Sequence, residues 1–109
     1  MSKNETRLFI RDKLLGYIER VDRGDDGNLI SIKFTSKPRQ ELGKLKLESS
    51  TPYQFIFHAS SEDGDIAMLF KGFLLNVSQN NNKASLRLRI DGPVTVTSLR
   101  KAFKEVRRQ

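Results

Sequence analysis

The chain has 109 residues, a formal net charge of +7, 37% hydrophobic residues and 30% charged residues. This apolar content is too high for intrinsic disorder, and no apolar run approaches the roughly 18 residues that a membrane-spanning helix needs. The start lacks the apolar segment of a signal peptide, so we expect a cytoplasmic protein that makes no membrane contact. The length predicts a single domain over residues 1–109, with residues 1–6 as a flexible start.

The first arm of the chain fits two descriptions. The first is a helix with Asn4 or Thr6 as its N-cap. Its apolar residues fit a helical spacing: Leu8, Leu14, Leu15, Ile18 and Val21. Gly16 weakens a helix, and the residues after it favour a strand. We therefore expect a short helix or an extended arm to about residue 13, followed by a strand.

A β-hairpin is predicted next. Leu15–Asp22 and Asn28–Thr35 are its strands, and the turn between them contains Asp26-Gly27, a strong turn signal. In the second strand the alternation places Ile30, Ile32 and Phe34 on one face.

The middle of the chain is predicted to be a loop and two short strands. Pro38 and Gly43 define a loop over residues 36–43, and Lys44–Glu48 alternates like a strand. Tyr53–His58 is rich in β-forming residues, with its three aromatic rings on one face, and we interpret those rings as core. Residues 60–65 form an acidic turn.

The C-terminal part predicts a second hairpin and a helix. Ala67–Val77 and Ser85–Ile90 are the strands, joined by a polar tip at residues 78–83. A short strand, Val94–Thr97, precedes an amphipathic helix with Ser98 or Thr97 as its N-cap. The apolar stripe of that helix is Leu99, Phe103 and Val106.

Together these elements predict a mainly β fold. Five to seven short strands with regular turn signals are typical of a small antiparallel β-barrel or sandwich, here with a C-terminal amphipathic α-helix.

Catalytic chemistry has little support. His58, the one histidine, has serines and acids beside it, but a triad needs its members brought from separate segments, so we predict a surface or hydrogen-bonded strand-end residue. Cysteine is absent, which excludes thiolate catalysis and disulfides. The acids near residues 25 and 63 lack calcium-loop spacing, and turn chemistry explains them. We expect no enzyme, no metal and no cofactor.

The positive charge lies at the C-terminal end of the sequence. Residues 83–109 carry eight Lys or Arg against two acids. Arg87 and Arg89 lie on the exposed face of their predicted strand, and Arg100 and Lys101 lie in the first turn of the helix, where the helix dipole disfavours cations. Helix stability does not account for these four residues.

We therefore predict a non-enzymatic nucleic-acid-binding module, for DNA or RNA, that contacts the phosphate backbone with little base specificity. The prediction requires the strand and helix cations to converge into one patch open to water. The candidate contact residues are Lys83, Arg87, Arg89, Arg100, Lys101, Lys104, Arg107 and Arg108.

Lys71-Gly72-Phe73 begins like the signature of the RNA-recognition motif. Leu74-Leu75-Asn76 then replaces the small residue, aromatic residue and valine of that signature, and the predicted order of elements is not that of the fold. We set this match aside.

Two short motifs resemble those of PilZ domains, which are small β-barrels with a C-terminal helix that bind cyclic di-GMP. Arg7 and Arg11 form an RxxxR pattern, and residues 76–81 are similar to [D/N]xSxxG with Asn at the last position. The resemblance implies a degenerate PilZ-like domain in which Arg7 and Arg11 clamp phosphate and guanine. Asn76 and Ser78 would line the same site.

A third hypothesis is a protein-interaction module. A near-neutral barrel with a basic end could dock onto an acidic subunit of a larger complex or form a homo-oligomer, through exposed sheet edges and the apolar stripe of the last helix.

Overall fold

Six antiparallel strands close into a barrel with one helix on its outer surface. The computed structural model describes residues 5–35, 51–61, 64–80 and 83–108. The elements are β1 (Glu5–Ile10), β2 (Lys13–Arg23), β3 (Leu29–Phe34), β4 (Tyr53–Ser61), β5 (Gly64–Asn80), β6 (Lys83–Ile90), β7 (Thr95–Thr97) and α1 (Leu99–Arg107). The order around the barrel is β4-β1-β2-β3-β6-β5, and the β4–β5 pairing closes it, while β7 adds to β5.

The 17-residue strand β5 makes the closure possible because it changes partner along its length. Its first half pairs with β4 from Gly64 to Gly72, and its second half pairs with β6 from Gly72 to Asn80. At Gly72, a side-chain Cβ would lie 3.2 Å from the carbonyl oxygen of Arg89 and 3.5 Å from Cδ2 of Phe55. Glycine therefore suits the point where both neighbours approach β5 most closely.

The barrel interior holds the larger of two apolar clusters. Alternate residues of all six barrel strands point inward, as the two-residue period of a strand requires. The buried members are Leu8, Ile10, Leu15, Ile32, Phe34, Phe55, Phe70, Leu74, Ala84, Leu86 and Leu88. Tyr53 and Phe57 pack against this cluster, so the prediction that the aromatic face of β4 belongs to the core is confirmed.

A second cluster lies outside the barrel, beneath α1. Ala102 and Val106 of the helix pack with Phe9, Ile56 and Ala67, which point outward from β1, β4 and β5. The rings of Phe9 and Phe103 meet edge to face, with 5.1 Å between centroids. Because of this helix, β1 and β4 are buried on both faces.

The predicted mainly β barrel with a C-terminal helix is confirmed, and the closed barrel replaces the sandwich alternative. Ser98 caps the helix as expected, its hydroxyl accepting the Lys101 N–H at 3.2 Å. Both predicted hairpins also form. The described helix is too short and too polar to cross a bilayer.

The first arm is where the prediction was partly wrong. It is a strand, β1, that turns at Arg11-Asp12 directly into β2, so the helical alternative is excluded. β1 begins at Glu5, within the expected flexible start, and residues 1–4 are outside the described part of the chain. The predicted loop at 36–43 and the strand Lys44–Glu48 also lie outside the described residues.

Candidate functional site

A groove of about 760 Å³ separates α1 from β5 and β7. The helix forms one wall, the outer face of β5 forms the floor, and β7 with the segment before it forms the other wall. Lining residues are Gln54, Leu69, Phe70, Lys71, Asp91, Gly92, Pro93, Thr95, Thr97, Lys101, Lys104, Glu105 and Arg108. Most of the polar groups at its surface are cationic, hydroxyl or amide groups.

Local geometry orients the helix side of this groove. Lys101, Lys104 and Arg108 are spaced by three and four residues, so they lie along one side of α1. The opposing apolar residues Ala102 and Val106 hold the helix on the barrel. Burial of one side of the helix therefore positions the cations on the other side.

Lys71 contributes the fourth cation from the floor. It lies between the buried residues Phe70 and Gly72 and points outward. Its carbonyl oxygen accepts the Asp91 N–H at 2.8 Å, which fixes the start of the opposite wall. Gly92, the next residue, has a φ of +94°, a conformation that favours glycine.

The groove carries an excess of positive charge. Four cations face two carboxylates, those of Asp91 and Glu105. Within the described part of the chain, none of the four cations forms an ion pair, and the first turn of α1 contains no acidic residue. Lys101 thus lies at the positive end of the helix dipole without local compensation, an arrangement that an incoming anion would relieve.

The arginines of β6 extend this charge along the barrel. Arg87 and Arg89 are exposed on the outer face, and the alternate residues Leu86 and Leu88 are buried inside the barrel. In the pairing of β5 with β6, Arg89 lies opposite Phe73, which is two residues beyond Lys71 on β5. The two arginines and the groove therefore share one continuous outer surface of β5 and β6.

The remaining predicted contact residues do not line the larger groove. Lys83 shares the outer face of β6 with Arg87, four residues or about 13 Å further along, and lies about 23 Å from the groove end of that strand. Arg100 is exposed and does not line the groove. Arg107 lies on the other side of the helix, where its Nε is 3.7 Å from Asp12 and its guanidinium stacks over Phe103.

A smaller groove of about 320 Å³ adjoins the first at Gln54 and Lys71. Arg11 and Arg107 contribute its other cations, and Asp12 contributes a carboxylate. The Arg11 backbone N–H donates to the Gln54 carbonyl oxygen at 2.8 Å, which ties the β1–β2 turn to β4. Its formal charge is +2, the same as that of the larger groove, but one of its three cations, Arg107, is paired with the Asp12 carboxylate.

His58 is a buried hydrogen-bonded residue and is 3% exposed. Its Nδ1 accepts from Arg7 Nη2 at 2.9 Å, and its Nε2 donates to Asp65 Oδ2 at 3.0 Å. A guanidinium can only donate and a carboxylate can only accept, so the arrangement fits the Nε2–H tautomer. The predicted hydrogen-bonding role of His58 is confirmed, although the residue lies inside β4 and away from the surface.

Arg7 of one PilZ-like motif lies far from Asn76 of the other. Arg7 is held by His58 and lies 5.1 Å from the ring centroid of Phe9. It is level with Ala67 of β5, whereas Asn76 is nine residues further along that strand, a path of about 30 Å. Asn76 and Ser78 are exposed on the far half of β5.

Lys71 was not among the predicted contact residues, although the sequence around it indicates that its side chain points outward. The alternation Phe70-Lys71-Gly72-Phe73 places Lys71 and Phe73 outward, but the surrounding residues looked like one apolar run. The contributions of Thr95 and Thr97 had no local signal, because they depend on the pairing of β7 with Ala67 and Leu69.

Comparisons with known protein families, curated proteins and solved structures found no match.

Proposed function

We propose that this protein binds the phosphate backbone of nucleic acid in the groove between α1 and β5. One observation carries the proposal: Lys71, Lys101, Lys104 and Arg108, from two elements far apart in sequence, line one open groove without ion-pair partners in the described part of the chain. Unpaired cations that line one groove attract phosphates, and each phosphate that they neutralise releases counterions on binding.

The surface fits a polymer better than a single small anion. Arg87 and Arg89 prolong the positive charge past the end of the groove on the same face. Four to six phosphate contacts give a slope of about −3 to −4 for log K against log salt with a single strand. Affinity should therefore fall by three to four decades for a tenfold rise in salt concentration.

Fluorescence anisotropy with a labelled oligonucleotide tests the proposal. The groove variant replaces Lys71, Lys101, Lys104 and Arg108 by Gln, and it should lose binding at low salt. A matched control variant replaces four cations outside the groove by Gln: Lys13, Arg23, Lys83 and Arg100. Both variants have the same net charge, and the control should retain most of the affinity of the parent protein.

Equal losses in the two variants would show that binding depends on total charge alone and would overturn the groove as the contact site. Retained binding in the groove variant would do the same. Circular dichroism melts of both variants establish that each is folded at the temperature of the titration.

A second candidate, assembly with another protein, is favoured by one observation. The short strand β7 exposes 60% of Val96, and the preceding Val94 is 42% exposed. Exposed valines at a sheet edge suit pairing with another chain. Light scattering after size exclusion tests this, and Val96→Lys should dissociate any oligomer that forms through β7.

A further inference from the structure

One phenylalanine of this protein has no place in either apolar cluster. The chain has seven phenylalanines, all within the described ranges, and six of them belong to or pack against the two clusters. The exception is Phe73 in the second half of β5. Its neighbours Gly72 and Leu74 are buried, so its ring points outward from the barrel, where it is partly exposed.

The surroundings of Phe73 are cationic. In the register of the sheet, Phe73 lies opposite Arg89 of β6, and directly opposed residues have Cβ atoms about 5 Å apart. Lys71 is two residues away on the same face of β5 and lines the groove. The ring thus lies between a groove lysine and a strand arginine.

Neither apolar cluster accounts for an aromatic ring at this position. The helix covers the outer face of the barrel at Phe9, Ile56 and Ala67, and Phe73 is not part of that contact. Its neighbours on the outer face of β6 are Arg87 and Arg89, which are exposed. An outward ring flanked by cations is the arrangement on which proteins stack nucleic-acid bases.

We propose that Phe73 is a base-stacking platform and that the protein therefore prefers single-stranded nucleic acid to duplex. The inference rests on the proposed function: phosphates lie along the groove, and a base beside them stacks on Phe73. Bases of a duplex already stack on each other and present only their edges in the grooves, so they cannot use the ring.

Two substitutions of Phe73 test the stacking. Phe73→Leu keeps apolar bulk and removes the π face, so it should weaken binding of a fluorescein-labelled single strand of about 12 nucleotides by about fivefold to 100-fold. The affinity for a duplex of the same sequence should not change. The slope of log K against log salt should also stay the same, since no phosphate contact is lost.

Phe73→Trp gives a direct signal, because the chain contains no other tryptophan. This variant should bind the single strand at least as tightly as the parent protein, and base stacking should quench its fluorescence. Leu75→Ala is the matched control, since Leu75 is an exposed apolar residue of the same strand, 42% exposed. It should leave single-strand affinity within about twofold of the parent.

The outcomes separate this inference from the proposed function. If the groove variant loses binding while Phe73→Leu does not, stacking is refuted and phosphate binding stands. Unquenched fluorescence of Phe73→Trp at saturating single strand also refutes it. If the groove variant binds as well as the parent, or the parent binds no oligonucleotide, the proposed function fails and the stacking platform fails with it.

Discussion

The outer surface of the barrel has two regions with different neighbours. On the covered face, over β1, β4 and the first half of β5, the helix buries Phe9, Ile56 and Ala67. On the open face, over β3, β6 and the second half of β5, Arg87 and Arg89 are exposed to water. The same barrel therefore uses one part of its exterior for stability and leaves another part available to a partner.

The sequence patterns of the two regions differ for this reason. Three consecutive residues of β1 are buried on the covered face. Leu8 and Ile10 pack inside the barrel, and Phe9 packs beneath the helix. In β6, on the open face, burial alternates, with leucines inward and arginines outward. Continuous apolar runs thus mark strands covered on both sides, and alternation marks a side that water or a ligand can reach.

The candidate groove lies where the two regions meet. Its cations Lys101 and Lys104 are on a helix whose opposite side is buried in the second cluster. The covered face therefore holds the charged groups of the site in place. Four substitutions test this division, and each has its own control.

The largest effect is expected for Ile56→Ala on the covered face. Ile56 is fully buried beneath the helix, and its truncation should lower the free energy of unfolding by about 2–5 kcal/mol. Leu75→Ala on the open face should change it by less than about 0.5 kcal/mol, as is usual for surface positions. Urea unfolding followed by circular dichroism measures both, and equal losses would contradict the division into two faces.

His58→Ala should have the next largest effect. It removes a buried ring and leaves the partly buried Arg7 without its acceptor, whereas Asp65 is half exposed and can bond to water, so the free energy of unfolding should fall by about 1–3 kcal/mol. Asp65→Asn is the milder control, since the amide oxygen can still accept from Nε2. An unchanged melting temperature in His58→Ala would show that these contacts do not stabilise the covered face.

Ser98→Ala should lower stability by about 1 kcal/mol, because the Lys101 N–H loses its capping acceptor. Ser98→Asn restores an acceptor and should recover most of the loss. Thermal unfolding resolves the difference between the two variants. If both lose the same stability, the cap does not contribute to holding α1 against the barrel.

The smallest effect is expected for Glu105→Gln, which removes a carboxylate from the groove. One carboxylate within a few ångströms of a bound phosphate opposes it by up to about 1 kcal/mol in water, so affinity for the labelled single strand should rise by up to about fivefold at low salt. Asp25→Asn removes the same charge from an exposed turn away from the groove. A similar gain there would show that only net charge matters.

The helical interpretation of the first arm failed for a physical reason. With both faces of β1 and of the start of β2 covered, Leu14 and Leu15 are both packed against apolar clusters, and the two-residue period of a strand disappears. Apolar residues dense enough to fill two faces also satisfy a helical spacing. The turn at Arg11-Asp12 carries no glycine, and Arg11 adopts a φ of 56° there, so it gave no turn signal.

The sequence by itself determined the class of fold, the two hairpins, the capped C-terminal helix and the outward direction of Arg87 and Arg89. These depend on the periods of strands and helices and on the chemistry of turns, which are local properties. Only the tertiary structure decided that Lys71 joins Lys101, Lys104 and Arg108 in one groove while Lys83 and Arg100 lie apart. Closure of the barrel and docking of the helix bring together residues some 30 positions apart, and those distances follow from the combined packing of both apolar clusters.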